Sequence, residues 1–117
     1  MEPRRLVLNL DSLGCLAAGA AVTAAPAAYR LVDPSGRSRP WVTGALLASS
    51  ALLAAAARNP TPTALGRSAA VNSAWVLTCL AVLPRQPRGV GRSLVVATAG
   101  LDAAMGGLQW YLRRVSG

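Results

Sequence analysis

Apolar residues gather into four long runs, separated by short breaks rich in proline, glycine and arginine. The first run covers residues 6–25 and stops at Pro26. The second covers 41–57 and ends before Asn59-Pro60-Thr61-Pro62. The third covers 64–83, with Arg67 near its start and Pro84 at its end, and the fourth covers 93–112, ahead of Arg113 and Arg114. Each run has roughly the 17–25 residues that cross about 30 Å of hydrocarbon at about 1.5 Å per residue. A helix is the element that satisfies its own backbone hydrogen bonds there, where lipid offers no partner. Asp33-Pro34-Ser35-Gly36 and the stretch from Pro84 to Gly91 are turn signals. Short connections make neighbouring helices antiparallel. The pattern therefore predicts an all-α fold in one integral membrane domain over residues 1–117. Its architecture would be a four-transmembrane-helix antiparallel up-down bundle.

The first run also has the order of a secretory signal: Arg4-Arg5, an apolar stretch, then Ala24-Ala25-Pro26-Ala27. Asn9 and Asp11 interrupt what would be its apolar centre, so it is expected to stay as a spanning helix.

Composition sharpens the membrane reading. Hydrophobic residues make up 53% and charged residues 14%, and there is no Phe. A soluble core draws much of its buried area from aromatics, whereas helices packing in lipid favour small residues. The formal charge of +8 raises nucleic-acid binding. Position argues against it, because the arginines stand at the ends of the apolar runs, where headgroups lie, and no basic stripe interleaves with aromatics. Tyr29, Trp41, Trp110 and Tyr111 also sit at run ends, as interface anchors do.

The chemistry available is sparse. Cys15 and Cys79 lie within apolar runs, with no CxxC and no His in the chain, so neither a zinc site nor a thiol–imidazole pair is implied. No cofactor or metal is expected. Catalysis would rest on Asp11 and Asp102 alone, so the chain reads as a non-enzyme.

Ionisable groups inside a bilayer cost at least about 2.5 kcal/mol at the centre and need a reason. Asp11 lies shallowly within the first run. Asp102 stands eleven residues before Arg113, about 16 Å in. In an antiparallel bundle Asp11, Asn72 and Gln109 share one depth, so together with Asp102 they form the expected intramembrane polar cluster, with Asn9, Ser12 and Ser73 nearby. Spacings of three and four put Asp11, Cys15 and Gly19 on one stripe, and Asp102, Gly106 and Gln109 on another. Gly14, Gly19, Gly100 and Gly106 are the candidate helix-packing positions. Arg4, Arg5 or Arg67 is expected to reach down to Asp11. Trp75 lies deep in its run, and its N–H is expected to find an Asn or Ser.

Charge does not orient the chain. One side would carry Arg4, Arg5, Arg58, Arg67, Arg113 and Arg114, and the other Arg30, Arg37, Arg39, Arg85, Arg88 and Arg92, which is six against six. Small multidrug exporters and fluoride channels share this length and balance. The first run here lacks the exporters' membrane Glu, and the channels' pore phenylalanines have no counterpart. Leu10-Asp11, Asn72-Ser73-Ala74-Trp75-Val76-Leu77 and Leu108-Gln109-Trp110-Tyr111-Leu112-Arg113 resemble a loose group of small bacterial four-helix integral membrane proteins of unknown function. Arginine without lysine, with heavy Ala and Gly use, resembles the product of a GC-rich genome such as an actinobacterial one. The resemblance implies a multi-pass protein of the bacterial inner membrane and imports no activity.

Two functions follow as expectations. The first is a non-enzymatic interaction or accessory subunit, self-associating or packed in a larger membrane complex. The second is a small transporter or channel, proton-coupled and dimeric, resting on Asp102. The lipid bilayer is a partner in both, and nucleic acid in neither.

Overall fold

The computed structural model describes residues 2–86 and 89–115. Five α-helices follow one another: α1 (Pro3–Ala24), the short α2 (Pro26–Tyr29), α3 (Arg39–Arg58), α4 (Pro62–Val82) and α5 (Val90–Val115), with a 3-10 turn over Leu83–Arg85. No strand occurs among the described residues. Arg88 lies outside them.

The helices begin earlier than the apolar runs do, for a local reason. Pro3, Pro26, Pro40 and Pro62 all occupy first-turn positions, where the missing N–H costs nothing and the fixed φ suits a helix. Thr61 completes the start of α4 by accepting from the Ala64 amide at 3.1 Å. A proline that reads as a break in sequence thus closes one helix and opens the next. At the far end, Gly36 at φ 68° supplies the left-handed residue of the turn before α3.

Packing is concentrated in two pairs, α1 with α3 and α4 with α5. In the first pair Arg5 reaches Ala57, Ser12 meets Ser50 and Gly19 faces Leu47, so residue numbers rise on one helix as they fall on the other. In the second, Gly66 faces Arg113 and Asn72 meets both Gln109 and Gly106 in the same sense. Each pair is an antiparallel hairpin. The two hairpins touch through the buried core of Leu8, Leu53, Ala57 and Leu65, with Leu112 packed against it.

What is inside and outside is inverted relative to a soluble protein. Asp11, Ser12, Ser50, Ser68, Asn72 and Gln109 are buried, while Leu13, Leu77, Leu80 and Leu101 are exposed, the last at 72%. Continuous apolar surface of this kind marks a face made for lipid or a partner. Three helical segments are long and apolar enough to cross a membrane: Pro3–Ala24, Arg39–Arg58 and Pro62–Arg85. Helix α5 is longer but carries Arg92, Asp102 and Gln109 within its length, and it falls short of that measure. The 44 Å long axis matches a bilayer with its headgroups, about 40–45 Å.

Candidate functional site

Asp11, Asn72 and Gln109 meet where α1, α4 and α5 converge. Asp11 Oδ2 accepts from Asn72 Nδ2 at 2.7 Å and from Gln109 Nε2 at 2.6 Å. Asn72 Nδ2 also donates to Gln109 Oε1 at 2.9 Å and to the Ser68 carbonyl at 3.2 Å. Gln109 has no exposed surface and Asn72 almost none. Gly106 makes this approach possible, because a Cβ there would lie 3.1 Å from the Asn72 Cβ. The three residues form a closed knot across the hairpins, and its donors are neutral amides.

Among the described residues no arginine reaches Asp11, contrary to the expectation from the sequence. Arg4 donates to the carbonyls of Pro60 and Leu112, and Arg5 Nε donates to the Ala57 carbonyl at 2.9 Å. These carbonyls lie at or just beyond helix C-terminal ends, where partial negative charge attracts a cation. Arg113 instead lies over the Trp110 ring, 4.5 Å from its centroid. Ser12 is drawn away from the knot as well. Its hydroxyl bonds the Ser50 carbonyl at 2.8 Å, and the Ser50 hydroxyl returns to the Ser12 carbonyl at 2.9 Å, riveting α1 to α3. Ser73 bonds back to the Ala69 carbonyl within its own helix.

Asp102 stands apart from the knot, although the sequence grouped it there. Half-buried, it has no hydrogen-bond or ion-pair partner among the described residues. It lines a cavity of about 510 Å³ between the hairpins, which is partly open to the exterior. Asp11 and Met105 stand at the same end, and Tyr29, Asp33 and Gln86 stand at the other. Along α1 the wall runs from Leu10 to Val22, about 18 Å. Cys15 and Cys79, the chain's two cysteines, both free, face the cavity from opposite hairpins. Trp75 lines it too and donates its Nε1–H to Ser49 Oγ at 3.2 Å, the serine partner expected of it.

No known protein family, curated protein or solved structure matches the chain.

The hairpins are tied at both ends of the cavity, and along its length the Trp75–Ser49 hydrogen bond also links them. On the knot side stand the leucine core and the Asp11 bonds. On the other side Gln86 Nε2 donates to the Val32 carbonyl, and Gly91 lies against the Leu31 carbonyl so closely that a Cβ would collide with it. This second tie depends on the turn after α2. There Asp33 accepts from the amide and hydroxyl of both Ser35 and Ser38. The Ser38 bonds foremost, then those of Ser35, hold the Asp33 carboxyl down to about 2. Tyr29 hydrogen-bonds to the same Ser38 hydroxyl.

The remaining candidate positions divide cleanly. Gly19 faces Leu46 and Leu47 closely, as a packing glycine should, and Gly106 faces Asn72. Gly14 and Gly100 meet nothing within 4 Å, so neither seats another helix within the chain. Gly14 lies where the hairpins diverge around the cavity, and Gly100 is on an exposed part of α5. Trp41 is 81% exposed and Trp110 and Tyr111 are exposed at the end of α5, whereas Tyr29 is partly buried in its turn. No group of three or more metal-ligating side chains occurs among the described residues.

Proposed function

We propose that this chain is a multi-pass protein of the bacterial inner membrane whose four long helices all cross the bilayer as an antiparallel bundle, and that it works as a small proton-linked transporter. The observation behind this reading is the cavity between the hairpins, with an unpaired carboxyl, Asp102, at its inner end. An intramembrane carboxyl facing a cavity is where transporters and pumps keep an exchangeable proton. The neighbouring Asp11 is spoken for by two amides, which leaves Asp102 as the group free to exchange. With α5 counted as a span, Gly106 and Gln109 turn inward, while Leu108 is exposed. Nothing in the cavity resembles an acid–base or nucleophilic centre, so the proposed role is non-enzymatic.

The test is proton movement in sealed vesicles reconstituted with the protein and loaded with a pH-sensitive dye. Protein-bearing vesicles are expected to dissipate an imposed pH gradient faster than protein-free ones, and Asp102→Asn is expected to remove the difference. Equal rates with and without protein contradict the reading.

A second reading, an accessory or self-associating subunit, is favoured by one observation. Gly100 and Gly107 on α5 have open space beside them, next to exposed Leu101 and Leu108. A small-residue face of this kind lets a second helix approach closely. Loss of a dimer in detergent on Gly107→Leu, with flux unchanged, would favour it over the transporter.

A further inference from the structure

We infer that the cavity between the hairpins binds a lipophilic ammonium: an apolar, drug-sized body bearing one positively charged nitrogen. The inference rests on the transporter reading for its setting and adds the class of ligand. A volume of about 510 Å³ falls within the roughly 300–1,000 Å³ typical of small-molecule sites. Most of the wall is apolar, from Leu94, Val95 and Leu101 on one hairpin and Val22, Val42 and Leu46 on the other. That surface takes the body of the ligand.

Charge sets the sign of the head. Among the described residues no arginine lines the cavity, whereas Asp11, Asp33 and Asp102 do. Arg4 and Arg5 are engaged by carbonyls at helix ends, and Arg113 lies over Trp110. An anion entering would meet carboxyl groups with no compensating cation, and a cation would find in Asp102 a partner the fold does not supply. Trp75 and Tyr29 also line the cavity, and aromatic rings attract a cation through their quadrupoles.

The test compares two probes with the same flat three-ring body and opposite charge, an aminoacridine cation and anthracene carboxylate. Each is titrated with the full-length protein in detergent and followed by fluorescence anisotropy. The cation is expected to bind saturably at one site and the anion not to. Asp102→Asn should weaken cation binding by more than about tenfold. If Asp102→Asn does not fold, Thr98→Trp, which fills the same wall, should abolish binding. Equal binding of both probes, or unchanged cation binding in these variants, overturns the inference. Binding without proton flux would remove the transporter reading and leave the inference standing. Proton flux without binding would do the reverse.

Discussion

Gln109 donates to Asp11 at 2.6 Å across 98 residues of chain, joining the last helix to the first. With Asn72 donating to the same oxygen, one carboxylate group holds three helices of two hairpins. Membrane interhelical hydrogen bonds average about 0.6 kcal/mol and reach about 1.7. The three side-chain bonds of the knot are therefore worth about 2 kcal/mol together, enough to set the register of the hairpins.

Gln109→Leu should accordingly lower stability by about 1–3 kcal/mol, because it leaves Asn72 and Asp11 short of partners inside the protein. Reversible unfolding in mixed detergent micelles measures this. Thr78→Val, whose exposed hydroxyl bonds only its own helix, should stay within about 0.5 kcal/mol of wild type. Equal effects would mean that the knot adds nothing.

The serine pair makes a quantitative claim of its own. Ser12 and Ser50 each donate to the other's carbonyl, so Ser12→Ala and Ser50→Ala should be non-additive. A double-mutant cycle should return a coupling of about 0.6–1.7 kcal/mol. Zero coupling would separate the two serines.

Gly106 and Gly100 lie six residues apart on α5, and substitution should part them sharply. Gly106→Leu drives a side chain into Asn72 and the Ala69 carbonyl, and should cost at least about 1–3 kcal/mol. Gly100→Leu enters open space and should stay within about 0.5 kcal/mol. The loss of stability is the readout that assigns Gly106 to folding within the chain, as distinct from association between chains.

Asp33 carries the pH prediction. Its folded value of about 2 lies below its ordinary 3.8, so its contribution to stability is complete above about 3.8 and is lost as pH falls through about 2. Thermal unfolding of the wild type should therefore weaken between about pH 4 and pH 2, and Asp33→Asn should lose that part of the slope. Because the turn carries Val32, which Gln86 holds, the variant should also loosen the second tie between hairpins.

The fold and the site were legible to different degrees. Asp11, Asn72 and Gln109 could be brought to one level by counting residues from the ends of antiparallel helices, since 1.5 Å per residue leaves little freedom. Helix starts were misjudged by several residues because Pro3, Pro40 and Pro62 act as first-turn residues, while a sequence reading takes proline as a stop. Ser50 was missed because α3 shows no polar stripe, and a single serine has no direction in sequence. Gly14 and Gly100 were less legible for a related reason: a small residue permits close approach without saying what approaches. The cavity was invisible, because it follows from where the hairpins are tied. That depends on Gln86 and Gly91 meeting a turn some 54 residues earlier.

The central claim is that the hairpins enclose an accessible cavity that selects positive charge, and the two native cysteines report on it directly. Cys15 and Cys79 both line that cavity, so each alone, with the other changed to Ser, can be titrated in membranes with a trimethylammonium methanethiosulfonate and with its sulfonate counterpart. Both thiols should react faster with the cationic reagent than with the anionic one. The preference should fall with Asp102→Asn, and an aminoacridine should protect both thiols. A cysteine placed at exposed Val96 in a cysteine-free background should show neither preference nor protection. If Cys15 and Cys79 react no faster than that control, or take both reagents alike, the cavity does not work as described.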